Sequence, residues 1–571
     1  MQTLFGFILA MSVTMVLIPL LMRWAVPLGI LDMPGARKQH SLPVPRVGGI
    51  AMVAGLGLGL LLWDSRTRAM QTLGVCIATL LVFGVWDDRK ALAAGPKLAG
   101  QTLAVLIAMF CSGVTISSLT VAERMPIASW IAWPLTFLFL LGGTNAFNLA
   151  DGLDGLAGGM GLLCLCGIGL MAFTEGLGAV GAAAVMMAGA LIGFLRFNTH
   201  PARVFMGDGG SQVLGFCTAF LAMLLTQDPR TPLSTALPLL LLGVPIVDTV
   251  MVMIERLAAG VSPFRADRRH IHHRLLALGF AHREAVSILY LLQGALLVTA
   301  WLVRYDSDLL VALYFVGFAA LIVAPLRLAM HCGWRVRRAT PCTPAASPSL
   351  NEAIGPADAD TEYTRAQVPY EPRAELARSL PLQSVGGWVL AAALFAYAMR
   401  VLILGARPSH DVQVLALSLA GILMAGLALR WRRADAAWTD RVALYCCAAL
   451  AIFSNKHGLP SMLHTGGVYA GDPQLFDWAL YLVLALAMIA CIRSSGERAF
   501  KLTPLDVLVL LMVVTLPNLP DAAGTLRSLG PTIAEMVLLF YSLEALSLVA
   551  ASRWRWLSGI SAMFLIGLAL H

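Results

Sequence analysis

The sequence predicts an all-α polytopic integral membrane protein. Hydrophobic residues make up 58% of the 571-residue chain and charged residues only 13%, which is too apolar for a soluble protein. A membrane-spanning helix needs about 20 apolar residues, and hydropathy indicates about eighteen such stretches. The stretches are rich in Leu, Ala and Gly, and a backbone in lipid must satisfy its own hydrogen bonds, so we expect helices and not buried strands.

The apolar stretches fall into two groups. About eleven precede residue 330 and about seven follow residue 384. The segment between them has no helical period and is rich in proline, with Pro341, Pro344, Pro348, Pro356, Pro369 and Pro372. We therefore predict a catalytic membrane domain at residues 1–338, a disordered cytoplasmic linker at 339–383, and a C-terminal membrane module of open role at 384–571.

Basic residues orient the predicted helices. The first apolar stretch has no preceding basic residue and no small-residue cleavage site, so we expect a retained helix and not a removed signal peptide. Arg23, Arg37, Lys38 and Arg46 follow it, and the positive-inside rule then places this loop in the cytoplasm. The net charge of +8 is mostly this topological signal, and no aromatic-plus-basic module indicates a nucleic-acid partner.

Four polar clusters lie at the ends of apolar stretches, all on the predicted cytoplasmic side. They are Trp86-Asp87-Asp88-Arg89, Asn145 through Gly155, Phe205 through Ser211, and Asp267 through His273. The first contains adjacent carboxylates. At an effective dielectric near 20, two like charges about 4 Å apart repel by about 4 kcal/mol. A closed site with this pair therefore needs a cation, either a basic side chain or a metal ion.

The second cluster repeats polar residues at every third position: Asn145, Asn148, Asp151 and Asp154. Residues three apart lie on one face of a helix, although the set drifts around a regular α-helix. Gly152 and Gly155 allow the backbone to leave helical geometry and a ligand to approach closely. This pattern favours a binding site over an ordinary loop.

The third cluster places Asp208 among glycines at the start of an apolar stretch. Glycines before a helix N-terminus expose N–H groups that favour phosphate. A carboxylate is also the hard oxygen ligand that Mg²⁺ prefers, with water and substrate phosphates filling the other positions.

The fourth cluster combines histidines with arginines: Arg268, Arg269, His270, His272 and His273. Zinc is disfavoured because there is no His-Glu-x-x-His pattern and no nearby cysteine. Arginine can clamp a phosphate through paired donors, so diphosphate contacts suit the cluster. A basic loop lying on anionic headgroups is the alternative.

At these residues the chain resembles the polyprenyl-phosphate N-acetylhexosamine-1-phosphate transferases and, more distantly, the phospho-N-acetylmuramoyl-pentapeptide translocases. The resemblance covers residues 1 to about 330, in order and at family-like spacing. The matching motifs are Asp32-Met-Pro34 to Gly49, Asp87-Asp88-Arg89 with Lys97 and Gln101, Asn145 to Leu156, Phe205-Met-Gly-Asp208 with Gly210-Ser211, Pro245 with Asp248, and Asp267 to Leu275.

This resemblance implies transfer of an N-acetylhexosamine 1-phosphate, with GlcNAc-1-phosphate favoured, from a UDP-sugar to polyprenyl (undecaprenyl) phosphate. UMP would be released, and the product would start lipid-linked cell-envelope glycan synthesis. The implied cofactor is Mg²⁺, with Mn²⁺ as an alternative. The implied partners are UDP-N-acetylhexosamine, polyprenyl phosphate and the bilayer of a bacterial inner membrane, with the active site cytoplasmic. Homodimerisation and contacts with later pathway enzymes stay open.

Roles for individual residues follow from the resemblance and from charge neutralisation. We expect Asp208 to bind the metal, joined by Asp88, and Asp87 to position or deprotonate the lipid phosphate. Asp151 and Asp154 complete the catalytic set, as further metal ligands or, for Asp154, through contact with uridine or sugar. Substrate binding is assigned to Asn148, Arg268, Arg269, His270, His272, His273, Lys38, Arg46 and Lys97. Direct attack and a two-step route through an aspartyl phosphate both stay open.

Three alternatives to this function stay open. Within the enzymes, the pentapeptide translocase is the alternative, and the donor sugar distinguishes the two. A transporter is disfavoured because the acids lie at helix ends and not at mid-bilayer, and because no inverted repeat is visible. A non-catalytic membrane scaffold is the third alternative.

Overall fold

A computed structural model describes residues 2–33, 43–63, 67–121, 123–260 and 269–336, with a few isolated positions between 413 and 566. The predicted linker and nearly all of the C-terminal module lie outside the described residues. So do two predicted substrate-binding residues, Lys38 and Arg268. The three-part division of the chain stays a prediction.

The described chain is mostly helical, as predicted. Its helices are α1 (Gln2–Leu28), α2 (Gly48–Trp63), α3 (Arg68–Arg89), α4 (Ala94–Ser112), α5 (Ser129–Ala150), α6 (Leu156–Thr174), α7 (Gly178–Asn198), α8 (Gly207–Gln227), α9 (Pro238–Leu241), α10 (Gly243–Ala258), α11 (Ile271–Ala277), α12 (His282–Leu302) and α13 (Asp308–His331). Its strands are β1 (Leu31–Asp32), β2 (Val44–Pro45), β3 (Ser118–Thr120) and β4 (Arg124–Pro126).

Two short antiparallel ribbons interrupt the all-α pattern. One pairs β1 with β2 and places Leu31 opposite Pro45; the other pairs β3 with β4 and places Leu119 opposite Met125. The second strand of each ribbon ends in an X-Pro pair. A residue before proline is pushed towards extended backbone, which explains why these loop segments form strands.

Nine helices in the described part of the chain are long and apolar enough to cross a membrane: α1 from Phe5, and α3 to α8, α12 and α13. The protein is therefore a multi-pass membrane protein. The shorter helix α2 is also apolar, and α10 has the same length of 16 residues. The predicted number of about eleven spans is thus not confirmed as a count.

Helix α8 lies at the centre of the bundle. It is buried from Gly209 to Thr226 among its neighbours, which include α2, α3, α5 and α6, whereas α13 lies almost entirely on the outside. Close backbone approach makes this packing possible. A Cβ placed on Gly84 of α3 would lie only 2.0 Å from the Cα of Gly209 in α8. The lack of a side chain at residue 84 therefore brings the C-terminal end of α3 against the N-terminal end of α8.

The two ends of the bundle carry different polar groups. At one end lie the C-terminus of α3 and the N-terminus of α8, with the α3–α4 and α7–α8 loops and the segment that precedes α2. At the other end, Asp308 accepts hydrogen bonds from Ser234 Oγ and Thr120 N, both at 2.6 Å. Arg124 donates there to the carbonyl of Asp228 at 2.7 Å. These contacts close the end opposite the acidic clusters.

Candidate active site

The core of the site is the junction between α3 and α8. Asp88, in the last turn of α3, caps the N-terminus of α8: its Oδ1 accepts from Asp208 N at 3.0 Å and its Oδ2 from Gly209 N at 3.4 Å. A carboxylate at this place also complements the positive end of the helix dipole. The two predicted metal ligands, Asp88 and Asp208, are therefore brought together as expected.

Arg46 joins this junction from the loop before α2. Its Nη1 lies 3.3 Å from Asp88 Oδ1, and its Nη2 pairs with Asp32, a residue to which the sequence analysis assigned no role. Phe205 N donates to Pro45 O at 2.8 Å, so this loop runs along the segment that precedes α8. Burial by itself would lower the pKa of Arg46, but the carboxylates of Asp32 and Asp88 outweigh it and raise that pKa above its usual value.

Lys97, in the first turn of α4, lies between two carboxylates. Its Nζ is 2.6 Å from Asp87 Oδ2 and 3.3 Å from Asp208 Oδ2. The contact to Asp87 is close but poorly directed for a hydrogen bond, so charge holds it. Asp87 is also fixed by Leu92 N, which donates to its Oδ1 at 2.8 Å.

The charged side chains at the α3–α8 junction differ in their exposure to solvent. The side chains of Lys97 and Asp208 keep 34% and 35% of their surface exposed, whereas those of Asp87 and Asp88 keep only 3% each. Lys97 and Asp208 can therefore reach a bound ligand directly, and Asp87 and Asp88 hold them in place.

The second cluster lies partly in α5 and partly in the turn that follows it: Asn145 and Asn148 belong to the helix, and Asp151 and Asp154 to the turn. Asn148 lies in the last turn of α5, and its Oδ1 accepts from Ser211 Oγ of α8 at 2.9 Å. Asn145, one turn earlier, instead exchanges amide hydrogen bonds with Gln101 of α4, the shorter at 2.9 Å. Asn145 thus joins two helices, and Asn148 faces the α8 junction.

The chain after Ala150 forms a turn, residues 151–155, as the glycines predicted. Gly155 takes a left-handed conformation with φ of 80°, and its N–H donates to Asn198 Oδ1 at 2.9 Å. Asn198 in turn donates to Val204 O at 2.9 Å, which links this turn to the segment before α8. Sequence reasoning missed Asn198, since no local pattern relates it to a turn more than forty residues earlier.

Asp151 shows that this region gathers negative charge. Burial, together with the nearby carboxylates of Asp208, Asp154 and Asp88, raises the pKa of its carboxyl to about 7. Part of the Asp151 residue surface is still exposed. A cation would relieve this repulsion, and several carboxylate oxygens form the donor set that Mg²⁺ prefers. The residues present therefore fit a divalent ion.

Asp154 has a different environment from the other acids. Its Oδ2 lies 2.7 Å from His200 Nδ1 and accepts from Ala202 N at 3.1 Å. Its backbone carbonyl oxygen lies 3.3 Å from His282 Nε2. Asp154 is thus held between the segment before α8 and the start of α12.

The histidine cluster packs behind the 151–155 turn. His270 Nδ1 lies 2.9 Å from Asp248 Oδ2, while Asp248 Oδ1 accepts from Ile271 N at 2.7 Å. The ring of His272 lies directly against Gly152: a Cβ there would be 2.3 Å from His272 Nε2, which has no hydrogen-bond partner in the described structure. The fourth cluster therefore contacts the second, and all four clusters share one end of the bundle.

Burial, and then the neighbouring His273, lower the pKa of His272 to about 3. This imidazole is consequently neutral over the physiological pH range. Arg269 lies further along the loop, where its Nη1 reaches Glu255 O at 3.4 Å and its carbonyl accepts from Arg274 Nε at 2.7 Å. His273 is partly exposed.

Comparison with known proteins identifies a family for this part of the chain. The family described as glycosyl transferase family 4 matches residues 70–226, a range that runs from α3 to the end of α8 and includes Asp87, Lys97, Asn148, Asp151 and Asp208.

Three relatives carry closely similar names. A probable undecaprenyl-phosphate N-acetylglucosaminyl 1-phosphate transferase of Bacillus subtilis is 36% identical over 291 residues, which are 50% of this chain and 81% of that protein. The undecaprenyl-phosphate alpha-N-acetylglucosaminyl 1-phosphate transferase of Escherichia coli K12 is 30% identical over 48% of this chain and 76% of its own length. The Yersinia pestis protein of that name is 29% identical over the same shares. The chain therefore belongs to glycosyl transferase family 4, the group of polyprenyl-phosphate N-acetylhexosamine-1-phosphate transferases that its motifs resemble.

Proposed function

We propose that this protein transfers GlcNAc-1-phosphate from UDP-GlcNAc to undecaprenyl phosphate and releases UMP. The names of its relatives support the transferred group and the undecaprenyl-phosphate acceptor. The observation that carries the proposal is the group formed by Lys97 with Asp87 and Asp208, in which the side chains of Lys97 and Asp208 are 34% and 35% exposed. Arg46 and Asp88 support this group. Cations and carboxylates alternate in this group, which suits the charge pattern of a metal–diphosphate complex.

The main obstacle in this reaction is repulsion between anions. A phosphate monoester has a second pKa near 6, so the lipid phosphate is mostly dianionic at neutral pH and is already nucleophilic. It must approach a diphosphate that is also negative. Lys97 and Arg46 lower this repulsion because both keep their charge: each is paired with carboxylates that favour the protonated form. Catalysis of phosphoryl transfer consists mostly of such positioning and electrostatic stabilisation.

Asp208 is the residue best placed to hold Mg²⁺, with Asp151 as a further ligand. Asp88 was predicted as a ligand too, but its two oxygens already accept from Asp208 N, Gly209 N and Arg46, so we assign it to capping α8 and aiming Asp208. When bound, Mg²⁺ neutralises diphosphate charge and aligns the leaving group. The chain's own residues fix the position of its ligands.

Asp87 acts through Lys97. Its side chain is almost completely buried and is held by Leu92 N and Lys97 Nζ, so it positions the lysine that meets the lipid phosphate. A base is not needed for a phosphate that is already deprotonated. Asn148 borders the 151–155 turn, where its amide suits hydrogen bonds to uridine or sugar. The neutral His272 is buried against Gly152 and supports this turn from behind.

The site lies at the cytoplasmic face of a bacterial inner membrane in this proposal. Basic residues concentrate in the loops and helix ends on this side of the bundle, among them Arg46, Arg89, Arg196, Arg203 and Arg269. The positive-inside rule places such loops in the cytoplasm, where nucleotide-activated sugars are found.

The test is release of UMP by the purified full-length chain. UDP-GlcNAc with undecaprenyl phosphate and Mg²⁺ should give UMP and a lipid-linked sugar, whereas UDP-MurNAc-pentapeptide should not. Asp208→Asn should abolish UMP release without unfolding the protein. Asp228→Asn, at the other end of the same helix, is the matched control and should retain activity. Turnover of the pentapeptide donor alone, or near-normal turnover by Asp208→Asn across a Mg²⁺ titration, would contradict the proposal.

The route of transfer has its own measurement. With labelled UDP-GlcNAc and no lipid acceptor, a direct attack leaves no label on the protein. Stable labelling of an aspartate would indicate the two-step route instead.

A further inference from the structure

A second polar centre lies beside the proposed catalytic group. Asp154, His200 and His282 offer one carboxylate oxygen and two imidazole nitrogens that all lie within 4.8 Å of one another. The rings of His200 and His282 stack with their centroids 4.2 Å apart. The proposed transfer reaction uses neither histidine, so this cluster needs a separate account.

Three separate segments build this cluster. Asp154 comes from the 151–155 turn, His200 from the segment between α7 and α8, and His282 from the first residue of α12. Each segment is anchored nearby: Tyr290 Oη donates to Gly155 O at 2.6 Å, and Asn198 Oδ1 accepts from Gly155 N at 2.9 Å. The ligand atoms therefore converge on a rigid frame and not on a loose surface loop.

We propose that Asp154, His200 and His282 form a binding site for a transition-metal ion, Zn²⁺ by preference. One carboxylate and two imidazoles are a common zinc donor set, with the fourth tetrahedral position left to water. Mg²⁺ is excluded by this chemistry, because it prefers oxygen ligands in an octahedral arrangement.

Metal binding requires a local rearrangement, in which the stacked rings of His200 and His282 turn so that both nitrogen lone pairs point at the ion. Zinc bonds of about 2.0–2.2 Å in a tetrahedron separate neighbouring ligand atoms by roughly 3.4 Å. His200 Nδ1 and Asp154 Oδ2 are 2.7 Å apart, and the three ligand atoms all lie within 4.8 Å of one another. Metal binding would displace the proton that this pair shares and widen it, since ligands must be deprotonated.

The expected consequence is local rigidity. The ion would join the turn that contains Asp151 to the segment that leads into Asp208, and it would tie both to α12. It would therefore fix the relative positions of two acids of the catalytic group without contacting the substrates. This structural role is independent of which sugar the enzyme transfers.

The test is metal binding by the tag-free, metal-stripped full chain in excess Mg²⁺. One equivalent of Co²⁺ should give the visible absorption of tetrahedral cobalt, and Zn²⁺ should displace it. His200→Ala and His282→Ala should each weaken Zn²⁺ affinity by at least about 100-fold, since loss of a residue that merely supports a ligand already costs about 10–100-fold. His331→Ala, an exposed histidine on α13, is the control and should bind as the wild type does.

Two results would overturn the proposal. The first is the absence of a stoichiometric Zn²⁺ equivalent at micromolar free metal. The second is full retention of that equivalent in the His200→Ala/His282→Ala double variant, which would assign it to an adventitious ion elsewhere.

Hydrogen exchange on the wild type covers the case in which the variants fail to fold. Zn²⁺ should slow exchange of the Ala202 amide, which donates to Asp154, and unchanged exchange in saturating Zn²⁺ would also refute the site. These readouts need no substrate, so their failure is distinguishable from failure of the proposed transfer reaction.

Discussion

Replacement of Gly84 by alanine tests whether the α3–α8 contact sets the geometry of the site. The new Cβ would lie 2.0 Å from Gly209 Cα, whereas ordinary contact begins at 3.4 Å. The atoms that the new Cβ would meet belong to the backbone of α8 and cannot rotate away. The helices must therefore separate by 1.4 Å, the difference between these two distances. The 3.0 Å bond from Asp208 N to Asp88 would then exceed the normal hydrogen-bond range.

The expected loss can be stated from the size of this displacement. A misplacement of about 1 Å in a catalytic group can cost about 100-fold in rate. We therefore expect kcat for UMP release to fall about 100-fold in Gly84→Ala. Gly74→Ala is the matched control on the same helix, since a Cβ there has nothing within 4 Å. Its activity should match the wild type, and alanine should if anything favour the helix.

The reciprocal change gives an intermediate case. A Cβ on Gly209 would lie 3.3 Å from the carbonyl carbon of Gly84, only slightly closer than ordinary contact. Gly209→Ala should therefore lose less activity than Gly84→Ala. Size-exclusion chromatography and thermal unfolding of each variant separate loss of geometry from loss of fold. If folded Gly84→Ala turns over as fast as Gly74→Ala, the proposed role of this helix contact is wrong.

Three further predictions concern charge. Lys97→Met should lower kcat about 100- to 1,000-fold, as loss of a preorganised donor typically does. Lys90→Met, at an exposed neighbouring residue, is the control. Equal turnover of the two variants would count against the role of Lys97 between Asp87 and Asp208. Chelation with EDTA should abolish UMP release, and Mg²⁺ or Mn²⁺ should restore it; activity that survives exhaustive chelation would remove the metal from the proposal. The folded protein keeps His272 neutral down to about pH 3, whereas the unfolded chain protonates this histidine below about pH 6.5. The free energy of unfolding should therefore fall by about 2 kcal/mol between pH 7 and pH 5. Thermal unfolding at pH 7 and pH 5 should show a smaller loss of stability for His272→Gln than for the wild type. An equal loss in the two proteins would contradict the burial of a neutral His272.

The acids of the site could be predicted because each lies at the end of an apolar stretch. In a membrane protein, the termini of spans on one side must meet at one surface, so alternation along the chain predicts which clusters share a side. Asp87, Asp88, Asp151 and Asp208 were found together for this reason. Lys97 was predicted to bind substrate, and the structure adds its place between Asp87 and Asp208.

Other contacts could not be predicted from local pattern. The pairs Asn198–Gly155, Asp248–His270 and Asp154–His200 join residues that are far apart in sequence, and no periodicity relates them. The burial of His272 against Gly152 is of the same kind. These contacts depend on how the loops fold back over the helix ends.

The amino-acid sequence by itself determined that this is a helical membrane protein with acidic and basic clusters on one side, because span length and charge placement follow directly from the cost of polar groups in lipid. The tertiary structure alone decided which of those residues act together. Only the packing of α8 among its neighbours shows that Asp88 caps a helix, that Asp208 stays open to a ligand, and that Asp154 turns away to two histidines. Such choices depend on close approach between backbones, which the order of residues does not reveal.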